Sequence, residues 1–341
     1  HKETKLLSVV VRFFSLNDGI KVRLLELKNL PEESAGIVVQ FITDVLENNG
    51  MEFHNMVSFC ADNAPVNFGG AQHNGQMNVF KKLKEKYKRL IPIGCPAHIL
   101  HKMAQKGADG LPFDIESIVF KLHSYFKGST QCHEQLKVVC ELLEVEYSSI
   151  PTHGPTRWVT LKKVLLRIIE LWTALNEYFA NLEKPPRLLQ DFFASDEARC
   201  VVLFLESALA CFDEPLKLLQ KSKALLPELV TIAESFRTKI NERKSNDFYG
   251  AKTANALAKL NNVKRDYLSK NFDDFYNTCL YYFDKWFRLE KLPTDIAWIV
   301  LNSQQVQYNE VRALAEQIAP KLAEKDDLFD EVVQLNQILT S

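Results

Sequence analysis

Apolar and polar positions alternate along the first thirty residues. Between residues 5 and 28 the text reads KLLSVVVRFFSLNDGIKVRLLELK, two β-branched and aromatic runs on either side of Asn17-Asp18-Gly19. An Asp-Gly step tolerates positive φ, so this pattern predicts two strands joined as a hairpin. The period then changes. Ile37, Val38, Phe41, Ile42 and Val45 recur at spacings of three and four, which predicts an amphipathic helix stopped by Asn49-Gly50. A short apolar strand, NMVSFCA at 55–61, leads into a polar loop that holds Asp62. A helix spanning about residues 75–88 and a last strand, LIPIGC at 90–95, follow. Strand, strand, helix, strand, helix, strand predicts an α/β or α+β layer rather than a bundle.

After residue 96 the period is helical almost throughout, with Pro185-Pro186 and Pro227 as punctuation. No repeat of fixed length and no low-complexity stretch interrupts it. The expected organisation is one α+β domain over 1–112 and one irregular, all-helical domain over 113–341.

Composition changes this picture little. Hydrophobic residues at 46% and charged residues at 25% describe an ordinary folded chain, and no apolar run approaches the roughly 18 residues of a membrane helix. The expected partners therefore exclude a membrane. Seven scattered cysteines, an odd number, read as reduced thiols of an intracellular compartment. The opening His1 in place of Met reads as a fragment or a processed product. A net charge of -1 offers no general attraction to nucleic acid, so any such contact needs a local patch. One exists at KKLKEKYKR, 81–89, where six basic side chains stand against one Glu. It is either a solvated helix face or a phosphate-binding surface built from Lys81, Lys82, Lys84, Lys88 and Arg89.

Three further stretches carry chemistry. Asp62 follows a buried-looking strand and precedes Asn63 and Asn67, at the strand end where layered α/β sheets bind ligands and metals. The plain alternative is an Asx turn or a helix cap. Cys95 and His98, with His101 a turn later, have the residue types of a zinc site but lack a matched second pair; Cys132-His133 lies far downstream. Thr156-Arg157-Trp158 stands before a long helix, where an Arg beside a Trp can hold a phosphate and stack on a base. A core Trp beside a salt-bridged Arg fits the same text.

CADNAPVN, CPAHILH and TRW, in that order over about 100 residues, together resemble the hAT superfamily of DNA transposases. The closer likeness is to the host-genome, zinc finger MYM-type proteins derived from them. The resemblance covers residues 1–180 by motif. It implies a partial RNase H-like mixed sheet with flanking helices, followed by a large helical insertion. It also implies that three acids hold Mg2+ or Mn2+ for strand cleavage, two ions about 3.5–4 Å apart clamping the attacking and leaving oxygens. Asp62 matches the second acid; Cys95 and His98, with Asn63 and Asn67 beside them, match its supporting residues; Arg157-Trp158 matches the pair that steadies an unstacked base.

The first acid and the closing Glu of the family have no counterpart in this text. The expectation is a transposase-derived nuclear protein that binds DNA, protein partners or itself without cutting, and then needs no cofactor. An active transposase whose other acids lie outside these residues, and a helical protein-interaction scaffold, are the alternatives. With the first strand missing, the expectation is either a sheet re-closed directly between residues 5–15 and 56–61 or poor solubility.

Overall fold

The computed structural model describes residues 6–15, 17–30, 32, 34–69, 77–154, 158–221, 225–287, 299 and 305–340. Strand β1 (Leu6–Ser15) and strand β2 (Gly19–Asn29) form the expected antiparallel hairpin, with one register shift between Val9 and Val10. Helix α1 (Ala35–Asn48) starts where the Ser34 hydroxyl accepts from the Ile37 amide, and it buries Val38, Phe41, Ile42 and Val45. Capping and an apolar stripe thus act together on one segment. Strand β3 (Ser58–Ala61), the short helix α2 (Pro65–Phe68), helix α3 (Val79–Lys86) and strand β4 (Ile91–Gly94) follow. β3 and β4 pair in parallel, Ser58 opposite Ile91 and Ala61 opposite Gly94. Helices α4 (Pro96–Ala108), α5 (Ile115–Lys127) and α6 (Thr130–Leu142) come next. Eleven more helices follow among the described residues, from Leu161 to Thr340.

The chain is mostly helical, with two small two-stranded sheets, and belongs broadly to the α+β class. Among the described residues the re-closed sheet expected between 5–15 and 56–61 does not form; there β1 pairs with β2 and β3 with β4. The physical reason lies in the side chains. Val9 of β1 and Phe59 of β3 enter one apolar cluster with Val38, Phe41, Leu83 and Leu90, so the two sheets share a core without sharing main-chain bonds. Each fully buried side chain of that size contributes about 1.5–3 kcal/mol, which is enough to hold the pieces without a common ladder.

Two compact units emerge. The first comprises His1–His98, Leu218–Ile232 and Lys285–Ser341; the second comprises Ile99–Lys217 and Ala233–Asp284. Both units are discontinuous in sequence. Besides the sheet core, the first unit has a small cluster of Val306, Val311, Ala315, Leu328 and Val332. The second unit is centred on aromatic rings: Phe204 stacks on Phe272 at 3.9 Å and meets Phe275 edge-on, while Phe179 stacks on Phe193. Helix α4 runs hard against this core. A Cβ at Gly107 would stand 2.8 Å from the Phe275 ring and 2.9 Å from the Cys279 sulfur, so only glycine fits that approach. Among the described residues no helix is long and apolar enough to cross a membrane.

One face of the hairpin lacks cover. Val10 and Leu24 stand opposite each other, as do Arg12 and Val22, and Val10, Phe14, Val22 and Leu24 are all exposed, Phe14 by 70%. The inward face carries Leu7, Val9 and Val11 into the core.

Candidate functional site

Asp62 sits one residue past β3, at the carboxyl end of the parallel pair, and its carboxylate is solvent-facing. Its Oδ1 accepts from the Ala64 amide at 3.1 Å and from the Asn67 side chain at 2.7 Å, the geometry of an Asx turn tightened by an amide clamp. Asn63 points inward. It is 7% exposed, neither end of its amide has a hydrogen-bond partner, and its Oδ1 would lie 2.3 Å from a Cβ at Gly94. The missing side chain of Gly94 is therefore what lets Asn63 lie across the strand end. Cys95 and His98, at the start of α4, are both half-buried.

A two-metal centre needs several oxygen ligands for each hard cation. Among the described residues no group of three or more His, Cys, Asp or Glu side chains converges as a metal site. Asp62 alone supplies one carboxylate, and the described residues do not fit such a centre.

The basic stretch follows a different axis. The Asn78 side chain caps α3 by accepting from the Lys81 amide at 2.9 Å. Lys81 and Lys82 are half-buried in the first turn; Lys84, Lys86, Lys88 and Arg89 are exposed further along. None of these six cations has a carboxylate partner among the described residues. Lys84 lies 5.4 Å over the Phe80 ring, and Tyr87 stacks on Phe53 at 4.6 Å. Because β3 and β4 are parallel, α3 must carry the chain back from the carboxyl end of one to the amino end of the other. Arg89 therefore stands at the strand end opposite Asp62, a separation of about four residues at roughly 3.3 Å each along the strand. The basic face and the acid share one β-α-β unit but not one spot.

In the second unit, Arg157 lies outside the described residues, and Trp158 is 3% exposed. A Trp so enclosed is a wall and not an open stacking platform. The neighbouring Val159 amide donates to Nδ1 of His101 at 3.2 Å, which ties this stretch to α4. The loop before it holds His153, buried, whose Nε2 donates to Glu116 at 3.1 Å.

Trp158 also lines a cleft of about 280 Å³ between the end of α4 and the start of α5, together with Asp109, Leu111, Phe113, Asp114 and Glu116. The indole nitrogen of Trp158 has no hydrogen-bond partner. Sequence reasoning missed these lining residues. The available signal was the text DGLPFDIE, 109–116, in which acids alternate with apolar residues across a Gly- and Pro-punctuated helix break.

Among the described residues, Cys132 and His133 are joined by no further ligands that would make a metal site. Burial raises the Cys132 thiol, and hydrogen bonds with Ser129, Tyr178 and Tyr125 more than offset it, holding it below the ordinary thiol value. His133 Nδ1 pairs with the Tyr147 hydroxyl at 2.7 Å. In comparison with known proteins, the chain matches no family model, no curated protein and no solved structure.

Proposed function

We propose that this chain is a transposase-derived protein of the hAT kind, working on DNA in the nucleus through a basic face and not cutting strands with the residues it has here. The observation that carries the reading is the run of six unpaired cations on and after α3, on a chain whose net charge is -1. Charge concentrated this way is a phosphate-binding footprint, since surface lysines otherwise tend to pair with acids around them. Further support comes from the ordered motifs around Asp62, Cys95 and Trp158. The parallel β3–β4 pair, with Asp62 at its carboxyl end, also agrees with the reading.

The test is binding of duplex, hairpin and single-stranded DNA across a salt series. About five phosphate contacts give a slope of log K against log salt near -4 to -5. Replacing Lys81, Lys82, Lys84, Lys88 and Arg89 by Gln should flatten that slope to near zero, and adding Mg2+ or Mn2+ should release no cleaved strand. A slope that survives the five substitutions would remove α3 from the interface and sink the proposal. A second reading, a protein-interaction scaffold, is favoured by the uncovered apolar face of the β1–β2 hairpin.

A further inference from the structure

We infer, resting on the reading of α3 as a DNA-binding face, that this face takes an unpaired stretch of DNA, one base of which continues the ring stack that Phe53 and Tyr87 begin. Charge alone serves duplex and single strand equally, so the aromatic neighbours decide between them. Tyr87 caps the carboxyl end of α3 and stands between Lys86 and Lys88, with Arg89 next, and all three cations are exposed. Its ring lies 4° from parallel to that of Phe53, which a single 3-10 turn (Phe53–Asn55) brings forward just ahead of β3. Both rings rest against the sheet core and keep part of their surface in solvent. Main-chain bonds hold the arrangement from two directions: the Leu90 amide donates to the Tyr87 carbonyl and the Ile91 amide to the Val57 carbonyl, each at 3.0 Å. Val57, 44% exposed, adds apolar surface at the same end of the strand pair.

Three occupants can be compared against this surface. A duplex uses the cations but keeps its bases stacked inside, so the exposed rings would gain nothing. An acidic peptide uses the cations and brings no flat partner for the rings. A single strand supplies phosphates and open base faces together, the combination that a charged track beside an aromatic platform recognises. Phe80 is not part of this platform, because Lys84 already lies over its ring at 5.4 Å. One acid is close: burial first, and then the Glu47 carboxylate, raise the Tyr87 hydroxyl above its usual value. Like charges repel, so the phosphates of the strand follow the Lys86, Lys88 and Arg89 side of the ring and not its hydroxyl rim.

The experiment compares three probes on the full chain across a salt series: an oligo-dT strand, the same backbone carrying abasic sites, and a duplex of equal length. Oligo-dT should bind at least about fivefold more tightly than the abasic strand, the gain from one stacked base. Tyr87→Leu, which keeps apolar bulk and loses the flat ring, should erase that difference while leaving the salt slope and the duplex affinity unchanged. Tyr87→Phe should retain it, because the ring and not the hydroxyl does the stacking. Phe53→Leu removes the other half of the stack and should weaken oligo-dT alone, which guards against a folding defect in the first variant. The inference is overturned if oligo-dT and the abasic strand bind alike, or if the difference survives both leucine substitutions. Its failure stays separate from that of the underlying reading. If the five Gln substitutions on and after α3 abolish binding of every probe while oligo-dT gains nothing over the abasic strand, the basic face stands and the stacking falls. A salt slope that survives those five overturns the reading itself.

Discussion

The β1–β2 hairpin and the aromatic core of the helical unit are built from similar residues and end in opposite circumstances. Val10, Phe14, Val22 and Leu24 stand in solvent, while Phe204, Phe272, Phe275 and Tyr276 retain at most 1% of their surface. The difference is one of geometry. A helix has a single apolar stripe, which the next helix in the chain can cover through a short connection. A two-stranded ribbon has two faces and two open edges, and one layer of helix covers only one of those faces. The helical unit closes on itself; the hairpin closes on one side.

Substitutions at matched positions can break that comparison. Phe204→Ala empties the centre of a ring cluster and should cost about 3–5 kcal/mol in chemical denaturation. Phe14→Ser, an equal loss of aromatic surface on the hairpin, should stay within about 0.5 kcal/mol and raise solubility. A cost at Phe14 approaching that at Phe204 would mean the hairpin face is covered in solution.

Two of the crowded glycines sharpen the contrast. Gly107→Ala presses a methyl into the fully buried Phe275 ring and should cost about 1–3 kcal/mol. Gly94→Ala first meets the amide end of Asn63, which no hydrogen bond tethers, and should cost less than that. Equal costs would show Asn63 to be as fixed as the ring.

The smallest effect expected is at Lys264, whose ammonium pairs with Glu197 at the rim of the helical unit. Chiefly through this hydrogen bond, against a burial penalty, the Glu197 carboxyl is held below its usual range. A carboxyl lowered on folding stabilises above its unfolded value, and that contribution fades as pH falls through the folded one. Lys264→Ala should therefore cost about 0.5 kcal/mol at neutral pH, with the difference from the parent vanishing in acid.

Local signals were legible in the sequence wherever they determine local structure. The hairpin turn at Asn17-Asp18-Gly19, the stripe of α1 and its stop at Asn49 all appear where the text puts them. Pairing between sheets was not legible, because side chains such as Val9 and Phe59 can share a core with or without a common ladder. The sequence named Trp158 but not its surroundings. Its cleft partners come from the break between two helices some forty to fifty residues upstream, and no periodicity connects them. The basic run of 81–89 was visible as charge. That it stands at the strand end away from Asp62 follows only from the parallel register of β3 and β4.

The bond from Val159 to His101 joins residues 58 positions apart. It fastens the foot of the segment that carries α5, α6 and the His153 loop, so that segment is a closed loop and not a trailing arm. A protease that nicked the exposed stretch around Pro151 and Thr152 would leave two chains and one particle. Release of the pieces would have to await denaturant, and the count of fragments on a gel would exceed the count of bodies in solution.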